Sequence, residues 1–280
     1  MQKFKNSFWG ITAFWVLSVI FIIVLIPAIV GKLFLSNLGM IGLTPLHSNN
    51  FQSFIIIDLI MLIVLMLFNH FFWKEKIFWL SNVPLGKQLV VDGLIVIILV
   101  GLLYNIFAVK FTFNNGAYMN LISDIEAGVL EEYLFRGILL ITLLKYFINV
   151  RKLVSYKGIL AALLVSSLMF AVMHLVNLVR PLLDSENVIK VAVQIFLTVF
   201  VGIILGVIYL RTRSIILPMI VHFCFDFSSD FIQNSLTYVG GNTDLFIHAI
   251  CYIVISLLIL FTFIRPSNSK QILSNFKVTN

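Results

Sequence analysis

Long apolar runs separated by short polar connections make up most of the chain. The run from Phe8 to Val30 holds no charged residue, and about 20 such residues suffice to span the hydrocarbon core of a bilayer. The pattern therefore predicts an all-α fold: a polytopic transmembrane bundle of about eight helices, forming one integral membrane domain over residues 1–280. The predicted spans are Phe8–Val30, Phe54–Trp73, Leu89–Val109, Leu121–Phe147, Ile159–Leu178, Val191–Leu210, Ile215–Ile232 and Leu245–Ile264.

Composition points to the same class of protein. Hydrophobic residues make up 61% of the chain and charged residues 11%, whereas about a quarter of the residues in a soluble domain are charged. This excludes an ordinary soluble domain and indicates that the lipid bilayer surrounds the chain. Its abundance of Phe, Ile, Asn and Lys is typical of an AT-rich bacterial genome, so we expect the protein in a bacterial plasma membrane.

The basic residues predict the orientation of the chain in the membrane. The formal net charge is +7, which by itself could indicate a nucleic-acid partner. With the N-terminus inside, however, the inner connections hold most of the Lys and Arg residues, as the positive-inside rule requires. We therefore predict cytoplasmic termini, a disordered polar cytoplasmic tail over residues 265–280, and no binding of nucleic acid.

The fourth apolar segment contains several ionisable residues, three of them in the sequence Glu131-Glu132-Tyr-Leu-Phe-Arg136. A charge near the bilayer centre costs about 2.5 to 3.5 kcal/mol on insertion scales, so each one needs a partner or a function. Glu132 precedes Arg136 by four residues, the favourable spacing for an ion pair on a helix. Glu131 lies about 100° away around the helix and is left available for chemistry.

Two histidines and an aspartate lie in later segments. His174 stands near a helix end, where an interfacial residue is the commoner interpretation, and His222 precedes Asp226 by four residues, so the two can neutralise each other on one helix face. Yet two histidines and two carboxylates on three helices are also the groups that activate water or hold a divalent metal.

Depth in the bilayer favours a common site for these groups. At about 1.5 Å per residue, Glu131 lies about 5 Å and His174 about 8 Å outward of their helix centres. His222 lies close to the centre of its helix, and Asp226 about 4 Å outward. All four side chains are therefore expected in one slab of the membrane.

Together these residues resemble the motifs of the CPBP family of intramembrane peptidases, also called the CAAX protease and bacteriocin-processing, or Abi, family. The family pattern is E-E-x-x-x-R, then F-x-x-x-H, then H-x-x-x-N or D, on separate helices. The resemblance covers about 124–230 and implies a peptidase core at about 121–232. Carried over to this chain, the catalytic residues would be Glu131, His174, His222 and Asp226, and the supporting residues Glu132 and Arg136.

The resemblance implies an endopeptidase that cleaves a small or membrane-associated peptide or protein. By it, Glu131 and His174 activate the attacking water, while His222 and Asp226 stabilise the oxyanion. An aspartate can donate a hydrogen bond to an oxyanion only when it is protonated. We favour this donor role for Asp226, with orientation of His222 and metal binding as the alternatives.

A divalent metal such as Zn²⁺ is the candidate cofactor, because members of this family are named metalloproteases. Two histidines and a glutamate can ligate zinc, or the glutamate can act without a metal.

Two other function classes compete with the peptidase. The first is a non-proteolytic membrane partner, such as a bacteriocin self-immunity protein or a regulatory scaffold. Intact Glu131, His174 and His222 argue against it. The second is a transporter that uses the same charges as an ion relay. Transporters often show broken helices in corresponding halves, and the sequence shows no such pair.

The predicted topology can be tested with reporter fusions along the chain. Reporters placed after Ser48, Asn115, Ser185 and Thr243 are expected outside, and a reporter after Lys270 inside, because of the distribution of basic residues. Activity of paired periplasmic and cytoplasmic reporters gives the measurement. A reporter after Lys270 on the outer side would contradict the predicted orientation.

Overall fold

A computed structural model describes residues 2–21, 25, 51–81, 93, 115–178, 188–234 and 242–278. This part of the chain is almost entirely helical and contains no strand, which confirms the predicted all-α fold. Helix α4 is a continuous stretch over 115–150, in which α-helix (Asn115–Glu132, Ile141–Lys145) alternates with π-helix (Tyr133–Leu140, Tyr146–Val150). The other helices are α1 (Gln2–Lys5), α2 (Phe8–Ile20), α3 (Phe51–Phe68, extended by the π-helical Asn69–Trp73), α5 (Ser155–Met173, followed by the 3-10 helix His174–Leu178), α6 (Val188–Thr212), α7 (Ile216–Asn234), α8 (Asn242–Phe263) and α9 (Pro266–Asn275).

Four of the described helices are long and apolar enough to cross a membrane. Three shorter apolar helices, Phe8–Ile20, Ile216–Phe227 and Ile250–Phe261, fall within other predicted spans. The predicted span Leu89–Val109 lies outside the described residues. An integral, polytopic protein is thus confirmed, while the eight crossings and the cytoplasmic termini stay predictions. The four long spans are Ile56–Trp73, Leu121–Val150, Ser155–Val176 and Val191–Thr212.

Helix α4 lies at the centre of the described bundle. Within its most apolar 18-residue window, 78% of residues are buried, compared with 22% for α3. It packs against α3 and α7, while α6 packs between α5 and α8. Large apolar side chains on the outer helices are exposed instead, such as Leu168 and Phe261. Such an exposed apolar surface suits contact with lipid.

The π-helical stretches of α4 were not predicted from the sequence. The first begins at Tyr133, directly after the two glutamates, and all eight of its residues are buried. A π-helix has a wider turn than an α-helix, and π-helical turns are frequent at functional sites. The change in helix type therefore falls at the position where the charged residues enter the core.

The predicted disorder of the 265–280 tail is wrong over the described residues. The segment forms α9, which starts with Pro266 at its first position, where a proline has no hydrogen bond to lose. Phe276, just after the helix, is buried and contacts the rings of Phe78 and Tyr209 at centroid distances of 5.6 and 5.3 Å. The apolar residues of α9 are spaced among polar ones, and they pack this helix against α5 and the core.

A buried carboxylate, Glu75, joins the C-terminal end of α4 to the segment that follows α3. The Glu75 side chain forms ion pairs with Lys5, 2.8 Å away, and with Lys145. Thr142 Oγ1 donates a 3.4 Å hydrogen bond to the same carboxylate. Lys145 is therefore a neutralised charge of the scaffold, separate from the glutamate and histidine cluster described next.

Candidate active site

Glu132 and Arg136 form the predicted ion pair in the interior of the protein. Arg136 Nη1 lies 2.9 Å from Glu132 Oε1, and both side chains are almost completely buried. The same carboxylate oxygen lies 2.9 Å from Nδ1 of His222 on α7. Arg136 Nη2 also donates to the backbone carbonyl of Gly202, at 3.4 Å. The pair therefore holds α4 against α6 and α7, as expected of residues that support the site.

Glu131 points to a different part of the cluster from its neighbour Glu132. Its Oε2 atom lies 3.8 Å from His222 Nε2, and its carboxylate also interacts electrostatically with His174. Glu131 Oε2 is buried and accepts no hydrogen bond from the described residues. A buried carboxylate oxygen in this state is suited to accept a hydrogen bond from water or substrate.

His222 lies between three carboxylates. Its Nδ1 atom faces Glu132, and its Nε2 atom lies 3.2 Å from Asp226 Oδ2. When both carboxylates are ionised, the two contacts need two N–H donors, which only the doubly protonated imidazolium has. The Asp226 side chain is 41% exposed, while the His222 side chain is 4% exposed. This arrangement favours Asp226 as an acceptor that orients His222 over the donor role favoured from the sequence.

His174 lies at the junction of α5 and the 3-10 helix that follows it. Its Nδ1 atom is 3.0 Å from the backbone carbonyl of Phe170. Since a carbonyl only accepts hydrogen bonds, Nδ1 carries the proton in this contact. Nε2 of the neutral ring then offers a lone pair, as a base or a water-orienting group requires.

Two residues for which the sequence predicts no role in the site, Phe170 and Gly128, help to assemble this cluster. Phe170 contacts the rings of both histidines and is 1% exposed. Gly128 sits where a Cβ atom would lie 3.3 Å from the backbone oxygen of Met219, so a glycine there allows α4 and α7 to approach. The F-x-x-x-H spacing signalled Phe170, and a glycine one turn before Glu132 in an apolar helix signalled Gly128.

The cluster does not form a ready zinc site. Among the residues that the structure describes, no three His, Cys, Asp or Glu side chains are grouped as metal ligands. His222 Nδ1 is occupied by Glu132, and Nε2 faces Asp226 at hydrogen-bond distance. The divalent metal stays a prediction, and these side chains do not fit it in their present arrangement.

Comparison with known proteins identifies the region that carries these residues. Residues 113–228 match the family model described as Rce1-like, type II CAAX prenyl endopeptidase. We call residues 113–228 the Rce1-like segment, because they are similar to this family. The match confirms the predicted resemblance to the CPBP peptidases. No curated protein and no solved structure matches the chain significantly.

The Rce1-like segment contains the whole cluster. It runs from the region before α4 to just beyond Asp226, and so includes both glutamates and both histidines. At the level of the family, the match supports an intramembrane endopeptidase acting on a peptide or protein substrate. Helices α1 to α3 and α8 and α9 lie outside the matched residues.

The two neighbouring glutamates of the Rce1-like segment are expected to differ in their effect on stability. Glu132→Gln removes the anion that compensates Arg136 and His222, and breaking a buried charge pair costs about 3 to 5 kcal/mol. Glu131→Gln removes a carboxylate whose contact with His222 Nε2 is longer, at 3.8 Å, and which does not pair with Arg136. We expect a lower folded yield and melting temperature for Glu132→Gln, measured in detergent with Glu131→Gln as the matched control. Equal melting of the two variants would contradict the supporting role of Glu132.

Proposed function

We propose that the chain is an intramembrane endopeptidase of a bacterial plasma membrane, cleaving a small or membrane-associated peptide or protein. The observation that carries the proposal is the convergence of Glu131, His174 and His222 from three helices inside the Rce1-like segment. Asp226 completes the set at the exposed side of His222. No metal takes part in the steps proposed below.

Glu131 and His174 activate the attacking water in this proposal. The unbonded Oε2 atom of Glu131 accepts a proton from water, while the lone pair on His174 Nε2 holds the same water in place. The water oxygen then forms a bond to the carbonyl carbon of the scissile peptide. When the C–N bond breaks, the proton on Glu131 passes to the leaving amine, so the carboxylate is regenerated.

His222 stabilises the negative charge that develops on the carbonyl oxygen. Its Nε2–H group faces the space between Glu131 and Asp226. The 3.2 Å contact with Asp226 is long for a charge-assisted hydrogen bond, so this N–H can also donate to an oxyanion. A fixed donor in a site of low dielectric stabilises such charge strongly.

The proposed chemistry is tested by comparing peptides from cells that carry the wild-type protein or Glu131→Gln. Loss of a general base lowers the rate by about 100-fold to 10,000-fold, so the products should disappear in the variant. Mass spectrometry of membrane and medium fractions gives the measurement. Glu126→Gln, the same change earlier in α4, serves as the control at matched expression.

The outcome separates the function classes. Peptides present with wild type and Glu126→Gln but absent with Glu131→Gln would support an endopeptidase. Identical peptide sets from all three strains would overturn the proposal in favour of a non-proteolytic membrane partner or a transporter.

The role of Asp226 is tested by Asp226→Asn. If Asp226 is the anion that orients His222, the change should lower kcat by about tenfold or more, as for other carboxylates that orient a functional histidine. The measurement is cleavage by purified protein at equal folded content, with and without Zn²⁺. Unchanged or higher activity would restore the donor role, because asparagine always donates. A loss that Zn²⁺ reverses would make Asp226 a metal ligand.

A further inference from the structure

We propose that Phe170 is a positioning residue, whose ring fixes the two histidines relative to each other and to the Glu132–Arg136 pair. This inference rests on the proposed function, because its consequence is a change in the rate of cleavage. Phe170 touches no reacting atom in the proposed mechanism. Its effect is therefore exerted through His174 and His222.

The ring of Phe170 contacts the rings of both histidines. Its centroid lies 4.9 Å from that of His174, with the ring planes at 74°, and 5.7 Å from that of His222, with the planes at 85°. Both are edge-to-face arrangements, which aromatic quadrupoles favour. Since His174 follows α5 and His222 belongs to α7, the ring determines a spacing between two helices.

The same ring also holds the supporting cation. Arg136 Cζ lies 4.3 Å from the ring centroid, a cation–π contact. Phe135 packs against the ring as well, at 5.0 Å and 70°. Phe170 is 1% exposed, so the ring has little room to turn. It therefore couples the ion pair on α4 to the histidines of the two other helices.

The backbone of Phe170 adds a second constraint on His174. The Phe170 carbonyl accepts the Nδ1–H hydrogen bond that sets the tautomer of His174, at 3.0 Å. The carbonyl holds the position of the ring nitrogen, and the aromatic side chain restricts the ring plane. Loss of the aromatic ring would leave this hydrogen bond in place, but the imidazole ring of His174 could then rotate out of its present plane.

A residue that only fills the core would behave differently under substitution. Leucine and methionine come close to phenylalanine in volume and apolar character, but they have no aromatic face or edge. If Phe170 only fills space, these changes alter stability and leave the rate per folded molecule unchanged. If it positions the histidines, the rate falls even in folded protein.

The test measures kcat and KM for Phe170→Leu, Phe170→Met and Phe170→Tyr in detergent-solubilised full-length protein. The probe is a quenched fluorescent peptide carrying the cleavage sequence obtained from the comparison of wild type and Glu131→Gln. Phe14→Leu is the matched control, because Phe14 is a buried phenylalanine of α2 that stacks on Phe68 and Trp73. Rates are normalised to folded protein from size-exclusion chromatography.

We expect kcat to fall about tenfold to 100-fold in the leucine and methionine variants, since misplacing a catalytic group by about 1 Å costs this much. KM should change far less, and Phe14→Leu should retain wild-type kcat. Phe170→Tyr keeps the ring, so folded Phe170→Tyr should retain more of kcat than the leucine and methionine variants do. Wild-type kcat in folded Phe170→Leu or Phe170→Met would overturn the positioning role.

Failure of folding also gives an answer. If Phe170→Leu and Phe170→Met both fail to fold while Phe14→Leu folds, Phe170 acts in folding and the positioning role is wrong. The proposed function is judged separately by Glu131→Gln. Loss of cleavage in Glu131→Gln with normal kcat in Phe170→Leu would overturn only the present inference.

Discussion

One buried oxygen atom, Glu132 Oε1, has two basic neighbours, one close to it in the sequence and one far from it. The Arg136 guanidinium comes from the next turn of α4, and the His222 imidazole comes from α7, each at 2.9 Å. A charge withdrawn from water in this way is tolerated only when it is paired. The local ion pair of α4 therefore constrains where α7 can lie, and with it the position of Asp226.

Arg136 and His222 can both contact Glu132 Oε1 only because α4 and α7 approach each other closely. Gly128 allows α4 and α7 to approach, since a Cβ atom there would lie 3.3 Å from a backbone oxygen of α7. Gly202 has the same effect between α5 and α6, where a Cβ atom would lie 3.0 Å from Ser167. The Gly202 carbonyl also accepts from Arg136. Small residues and buried charges thus act together, as in other membrane helix bundles.

Contacts set by helix periodicity could be predicted from the sequence, and contacts between helices could not. The four-residue spacing of Glu132 and Arg136, and of His222 and Asp226, placed both pairs correctly. The second bond of Glu132, to His222, spans 90 residues and depends on packing that periodicity does not reveal. The docked helix α9 was missed for a related reason, because its few apolar residues lie in a polar composition and are buried only by tertiary contact.

Adjacent glutamates acquire unlike properties here because helix geometry directs them to different neighbours. Glu132 Oε1 is held by two basic groups, Arg136 and His222, so this carboxylate serves to hold α4 and α7 together. Both carboxylates keep an Oε2 atom without a hydrogen bond from the described residues, but the Glu131 side chain is 20% exposed and the Glu132 side chain is 0% exposed. Glu131 is therefore the carboxylate that water or substrate can reach. A general base needs a fixed position together with a free lone pair, and the pairing of Glu132 supplies the first without consuming the second. Two carboxylates in sequence thus divide between them the conflicting demands of burial and reactivity.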